Sequence, residues 1–390
     1  MLIGAAEAGR LIGQAFGREP YRTRLAAGGA GELFGWAQLN AALAEQRLTP
    51  PRLRLERAAQ DVSREVFRAR RTRRGAQMQD LDPAALMACL RDGATLIIDA
   101  VNEISPPLQR LCAGLSADFA ASCQANLYAC WGETQGFDVH WDDHEVFVLQ
   151  LEGRKTWALY GATERWPTRR GVGSEAPRPE APVDSFVLAP GDVLYLPRGY
   201  WHAAVGLGGP TLHLTVGLTR KSGADLLHWL ADELLADELV RSDLPLEADP
   251  AKLADRVAEI LARVVAQDPQ GLAGRYRRHL EAGLVQRPQL SFPYLGEEAR
   301  DLPADVQIRL AAGPARLEPR GAGLVLSWRG VEFELAPALA PPLDRLLAGE
   351  GVSIADFQAA APAAGPAALQ SFLREMVRRG AFVIRAEEGE

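Results

Sequence analysis

Lysine is almost missing from this 390-residue chain: of 43 basic residues only Lys155, Lys221 and Lys252 are lysine, and the rest are arginine. Genomic compositional bias explains the general preference, so a lysine at a motif position stands out. Cysteine is scarce as well. The four present, Cys89, Cys112, Cys123 and Cys130, show no C-x-x-C spacing and are too few for a disulfide framework, which fits reduced thiols in a cytoplasmic protein. No run of about 18 uninterrupted apolar residues occurs, so no membrane span is expected. Residues 1–10 lack a basic segment followed by an apolar one, so no secretory signal is expected. Positive charge is not in excess: 50 acidic residues against 43 basic give a formal charge of −7, which argues against direct nucleic-acid binding. What remains is an ordinary globular composition, 47% apolar and 24% charged. The length suggests two or three domains.

The patterning divides the chain at about residues 222 and 298, into 1–222, 223–298 and 299–390. The first 90 residues alternate short helical patterns with loops. Residues 34–45 carry apolar side chains at helical spacing, and 82–91 open with Asp-Pro, a helix start. The basic run 64–74 (REVFRARRTRR) reads as a solvated loop or helix face, with contact to an anionic partner as the alternative. Residues 94–101 read as a buried strand and 106–119 as a helix. From 124 to 218 the pattern turns to strands: 124–130, 145–151 and 156–160, then 184–188, 192–196, 202–205 and 211–218. Glu152-Gly153-Arg154 supplies a hairpin turn, and the other strands are punctuated by Gly/Pro turns. Short strands with such turns and no intervening helix point to an antiparallel barrel or jelly roll.

Helical periodicity follows at 224–240 and 252–265, with acidic faces. This pair could join subunits or pack on its own barrel. The last 90 residues read as a small mixed domain: a hairpin around Arg329-Gly330, helices at 342–348 and 367–379, and a closing strand at 381–385, an order that suits a winged helix. Residues 360–368 are Ala/Pro-rich and read as a loop.

Histidine is rare too, with six in the chain, yet His140, His144, His202 and His213 all lie in the strand-rich segment. His140-Trp141-Asp142 is an H-x-D at the expected start of a strand, where residues two apart project to one side. His202 follows a Pro197-Arg198-Gly199 turn. Two imidazoles and one carboxylate on a β-barrel make a facial triad that leaves positions open on Fe(II). An H-x-D alone is more often a surface hydrogen-bonding pair. Here it stands with a hairpin, a Pro-Gly-Asp turn and a distal histidine within one β segment, and that combination favours a metal.

The stretch Gln135-Gly136-Phe137-x-x-His140-x-Asp142-Asp143-x-Glu145-x-Phe147-Val148-Leu149-Gln150-Leu151-Glu152-Gly153-Arg154-Lys155-x-Trp157, with Leu196-Pro197-Arg198-Gly199-x-x-His202, resembles the JmjC-type cupin oxygenases of the ribosomal oxygenase family. Its members include bacterial ribosomal-protein arginine hydroxylases and eukaryotic ribosomal-protein histidine hydroxylases. The resemblance implies a mixed α and β protein: a double-stranded β-helix (cupin, jelly-roll) core with N-terminal α/β elements, a helical dimerisation region and a C-terminal winged-helix-like domain. It further implies a dioxygenase using Fe(II), 2-oxoglutarate and O2, with His140, Asp142 and His202 as metal ligands. Lys155 falls where the family pairs a cation with the distal carboxylate of 2-oxoglutarate, a sensible use of a buried charge. Asn126, Tyr128, Thr215 and His213 match positions lining the same cavity. No general acid, base or nucleophile beyond the ligands is implied.

Residues 129–134 (ACWGET) depart from the Thr-Pro-Pro-like loop of relatives, and Val139 replaces a frequent proline. These changes fall near the expected substrate entrance. The favoured substrate is an arginine or histidine of a ribosomal protein, a basic partner for Glu133, Asp138, Asp143 and Glu145. A peptide natural-product precursor or free amino acid is the alternative within the same chemistry, and a non-catalytic metal-binding cupin is the alternative outside it. A homodimer with no membrane partner is expected. His144 is expected to act in the substrate groove or behind a ligand.

Overall fold

β-Branched and aromatic runs separated by glycine and proline turns cannot bury both faces of a strand unless sheets stack, and in this chain they do. The computed structural model describes residues 3–26, 29–133, 135–168, 177–246, 250–284, 289–292, 302–362 and 365–385. Thr134, the expected boundary at 298, and residues 363 and 364 of the Ala/Pro-rich stretch lie outside them. The chain forms two units, Met1–Arg220 and Lys221–Glu390.

Thirteen strands among the described residues build the first unit: β1 (Tyr21–Arg24), β2 (Leu53–Arg57), β3 (Gln60–Asp61), β4 (Phe67–Arg71), β5 (Gln77–Leu81), β6 (Thr95–Ile98), β7 (Ser122–Trp131), β8 (Glu145–Glu152), β9 (Lys155–Ala162), β10 (Asp184–Leu188), β11 (Asp192–Leu196), β12 (Tyr200–Gly206) and β13 (Pro210–Thr219). An eight-stranded sheet runs β1-β11-β8-β13-β7-β6-β2-β3 and faces a three-stranded sheet β10-β9-β12. This is the double-stranded β-helix core, widened by N-terminal strands.

The β8 run is buried along both faces, Glu145 through Leu151. Val146 and Val148 pack between the two sheets with Trp157, Leu159 and Leu194. Phe147, Leu149 and Leu151 instead join the core that includes Leu108 and Cys112 of the helix Pro106–Phe119. The alternation of adjacent side chains thus feeds two cores, which is why this strand reads as an unbroken apolar run.

Three expectations for the first unit need correction. The basic run 64–74 is not a loop or helix face: after a short 3-10 turn it forms β4, paired only with β5 as an exposed hairpin. Arg70 and Arg68 pair with Asp80 and Asp82, carboxylates too far along the sequence for a local reading to include. Glu145 does not belong to an acidic entrance. It is buried and accepts a hydrogen bond from Tyr195, whose hydroxyl also accepts from the Gly17 amide at 2.7 Å. The H-x-D does not lie on β8 either, as β8 begins only at Glu145.

In the second unit the expected helix over 224–240 is two helices, Gly223–Leu234 and Glu238–Arg241. The break comes at Asp237, whose side chain caps the second. Helices Pro250–Val265 and Pro269–Gly283 follow. Among the described residues, the C-terminal part has two three-stranded sheets and three helices, Ala340–Leu347, Ile354–Ala360 and Pro366–Arg378. They share a core that includes Ile308, Leu326, Phe357, Leu373 and Phe382. No helix among the described residues is long and apolar enough to cross a membrane.

Candidate active site

The space between the two sheets opens into a cavity of about 120 Å³, and period-2 alternation decides what lines it. Pairs of residues two apart face it from five strands: Asn126 and Tyr128 on β7, Val146 and Val148 on β8, Lys155 and Trp157 on β9, His202 and Ala204 on β12, His213 and Thr215 on β13. His140, Asp142 and His144 complete the mouth.

The two histidines meet by backbone pairing, not by sharing a strand. His140 and His202 form an isolated antiparallel bridge and exchange both main-chain hydrogen bonds, at 3.1 and 2.8 Å. Such a directly opposed pair brings side chains close, and the rings lie 4.5 Å apart between centroids. The pairing of β12 with β9 shifts register between Trp201 and His202, passing over Tyr160 of β9. Asp142 is fixed through its own carbonyl, which accepts from the Gly199 amide at 2.9 Å. Gly199 has φ +86, and a Cβ there would lie 2.5 Å from Pro167, so the turn demands glycine.

One ligand atom from each of His140, Asp142 and His202 lies within 4.8 Å of the others, with His202 Nε2 3.7 Å from Asp142 Oδ2. Each histidine bonds a main-chain carbonyl through Nδ1, His140 to Asp138 at 2.8 Å and His202 to Tyr200 at 2.9 Å. That bond makes Nδ1 the protonated nitrogen and leaves Nε2 with its lone pair, the arrangement expected of metal-binding imidazole. Burial, reinforced by His140, pushes the His202 pKa down and keeps it neutral. The donor set fits a divalent transition metal with open positions.

The far end of the cavity is equally specific. Lys155 is buried, and burial lowers its pKa. The neighbour that offsets part of this lowering is Cys130, and no carboxylate among the described residues pairs with it. An interior ammonium without an anion is costly, so this end suits a ligand carboxylate. His213 stacks on Tyr128 at 4.9 Å, and its Nδ1 is buried without a hydrogen-bond partner among the described residues. Burial and the Lys155 charge hold His213 well below the usual histidine range, so it is neutral. Tyr128 is pushed up to about 12 by burial, with Asp142 adding to the shift and a bond to Thr215 opposing it. It therefore remains a phenol.

Asn126 is partly committed elsewhere, since its Oδ1 accepts from the Ala100 amide and from Gln124 at 2.9 and 2.8 Å. His144 lies at the mouth, its Nδ1 3.2 Å from Asp143, and its ring occupies the space that a Cβ on Gly217 would take. Sequence reasoning assigned no role to Trp157, which packs against both His202 and His213. The available signal was its position two residues beyond Lys155 on the same face.

A JmjC domain family model matches residues 102–226. The bifunctional lysine-specific demethylase and histidyl-hydroxylase NO66 of Drosophila persimilis is 32% identical over 172 residues, covering 42% of this chain and 25% of that protein. Human ribosomal oxygenase 1 is 36% identical over 146 residues, covering 36% and 22%. The chain thus spans about a quarter of the length of these curated relatives. The structure of Escherichia coli YcfD superposes with a TM-score of 0.62 at 16% identity, over 99% of each chain. A ribosomal oxygenase structure of YcfD with cobalt and 2-oxoglutarate gives 0.59 at 17%, over 97% and 98%. Residues 102–226 thus match a JmjC domain, and the fold is similar to that of YcfD.

Proposed function

We propose that this protein is an Fe(II)- and 2-oxoglutarate-dependent oxygenase that hydroxylates a side-chain carbon of a protein, with an arginine or histidine of a ribosomal protein as its substrate. The observation that carries this reading is the pairing, in one cavity, of a two-histidine, one-carboxylate cluster at the mouth with an anion-free buried lysine at the closed end. The names of the ribosomal oxygenase relatives and the cobalt and 2-oxoglutarate of the YcfD structure support it.

His140, Asp142 and His202 would hold the iron, and Lys155 would receive the distal carboxylate of 2-oxoglutarate. Bound iron with 2-oxoglutarate and O2 supplies the oxidising power to insert oxygen into a C–H bond, with release of succinate and CO2. The chain's residues orient and protect. Tyr128, Thr215 and neutral His213 offer hydrogen bonds along the wall, while Val146, Val148 and Trp157 keep it apolar and limit water. Exposed Asp138 and Glu133, beside the mouth in sequence, suit a basic polypeptide.

We infer also a cytoplasmic homodimer formed through helices 223–283, with residues 299–390 as a separate winged-helix-like part. Val257, Leu261 and Val265, one stripe at helical spacing, are 44, 58 and 83% exposed, which supports an interface on helix Pro250–Val265.

The direct test is conversion of 2-oxoglutarate to succinate by protein supplied with Fe(II), ascorbate and ribosomal proteins. His140→Ala and Asp142→Ala should each abolish conversion. Retained turnover in both would remove the site assignment.

A further inference from the structure

Cys130 is a buried thiol that the proposed chemistry leaves without a role, and it lies beside the one lysine in the cavity. It is 2% exposed, and Thr211, with which it bonds, is fully buried. Cys130 Sγ is 3.0 Å from Thr211 Oγ1, and Thr211 Oγ1 donates to the Cys130 carbonyl at 3.4 Å. With the threonine hydrogen so used, the thiol hydrogen goes to Thr211 and the sulfur lone pairs are free to accept. Lys155 is in register with Gly206 across β9 and β12, and Cys130 Sγ lies 3.8 Å from where a Gly206 Cβ would be. The sulfur thus lies in ordinary contact range of the β9–β12 pair at the lysine, while the missing Gly206 side chain makes room for the Gly132 carbonyl oxygen, 2.4 Å from that point.

We propose that Cys130 is a positioning residue: tied to Thr211, its sulfur holds the Lys155 ammonium at the closed end of the cavity, a role that rests on the reading of Lys155 as the 2-oxoglutarate anchor. An ammonium carries three donors and no acceptor. One donor goes to the sulfur, and two are left for a ligand carboxylate. The titratable groups facing Lys155 among the described residues are Cys130 from β7 and His213 from β13. Its register partners on β12 and β10, Gly206 and Leu188, carry no charge. Burial lowers the lysine's proton affinity, and Cys130 raises it through charge attraction first and hydrogen bonding second, so Cys130 favours the charged form that a carboxylate requires.

The shortage of lysine makes the test practical. Lysine-labelled protein contains three side-chain signals, and Lys155→Arg identifies the one that matters. The titration midpoint of that signal is measured in the metal-free full-length chain, and 2-oxoglutarate affinity is measured by calorimetry with zinc(II) in place of iron. Losing one hydrogen bond to a charged group, Cys130→Ala and Cys130→Val should lower the midpoint and weaken 2-oxoglutarate about tenfold. Cys130→Ser, which keeps an acceptor, should stay within about twofold of wild type. Thr211→Val should shift both readouts the same way as Cys130→Ala, and it covers the case in which the cysteine variants fail to fold. Wild-type values in Cys130→Ala, or a serine variant indistinguishable from alanine, would overturn the role of the sulfur. Unchanged 2-oxoglutarate affinity in Lys155→Ala would instead sink the anchor reading, while the lysine titration still judged Cys130.

Discussion

Lys155 is buried inside the first unit, and burial draws its pKa below the ordinary 10.5. The sign of the consequence follows from proton counting. Between the lowered folded value and the ordinary one, the unfolded chain binds more protons than the folded chain, so the ligand-free protein gains stability as pH rises through that window. Cosubstrate binding runs the other way. With Lys155 as the proposed anchor, it should be full while Lys155 is charged and fall as pH rises through the folded pKa, still below 10.5. Calorimetric titration of 2-oxoglutarate at stepped pH checks this, and an affinity flat up to the ordinary lysine value would contradict it. Truncating one partner of a buried charge pair is severe, so Lys155→Ala should weaken 2-oxoglutarate by about 30-fold or more. At this scale the residue types were legible in the sequence, because rare histidines and a rare lysine fell into one spaced pattern. Their geometry was not. His140 and His202 meet through an isolated bridge beside a register shift in β12–β9, and non-local pairings of that kind leave no periodic trace.

The strands at 184–188 and 192–196 were readable to the residue, since glycine and proline punctuate them and apolar runs fill them. Less legible were β1 and β2, short strands that become strands by pairing with β11 and β6. Their alternation is too brief to separate from loop, and tertiary pairing decides them. Glu145 shows the same limit, because a carboxylate bonded to Tyr195 fifty positions away reads in sequence as a surface charge. The β8–β9 hairpin, which brings Lys155 into the cavity, turns at Gly153. There φ is +66, and a Cβ would lie 2.3 Å from the Pro210 carbonyl oxygen. Gly153→Ala combines left-handed strain with that collision and should cost about 1–3 kcal/mol or more. The urea midpoint of the variant measures it, and a midpoint equal to wild type would show that the turn relaxes freely.

Across the whole molecule the chain separates into a unit that contains the cavity and a second, mostly helical and C-terminal unit. The exposed stripe Val257, Leu261 and Val265 was legible as amphipathic spacing, but spacing alone could not decide between a partner subunit and the protein's own barrel. If that stripe joins two copies, Leu261→Glu places charge in an apolar contact and should shift the protein from dimer to monomer in light scattering. A wild-type monomer would dismiss the interface. The overall excess of acid has gained a more local meaning, because Glu133 and Asp138 are exposed beside the mouth in sequence while Glu145 is spent inside. The central claim is that His140, Asp142, His202 and Lys155 form one oxygenase site acting on protein. It is tested most directly by mass spectrometry of ribosomal proteins incubated with Fe(II), 2-oxoglutarate and either the wild-type chain or Asp142→Ala. The account predicts a gain of about 16 Da, one oxygen atom, on a single protein with matching succinate for wild type and none for the variant; the same mass gain with Asp142→Ala would contradict it.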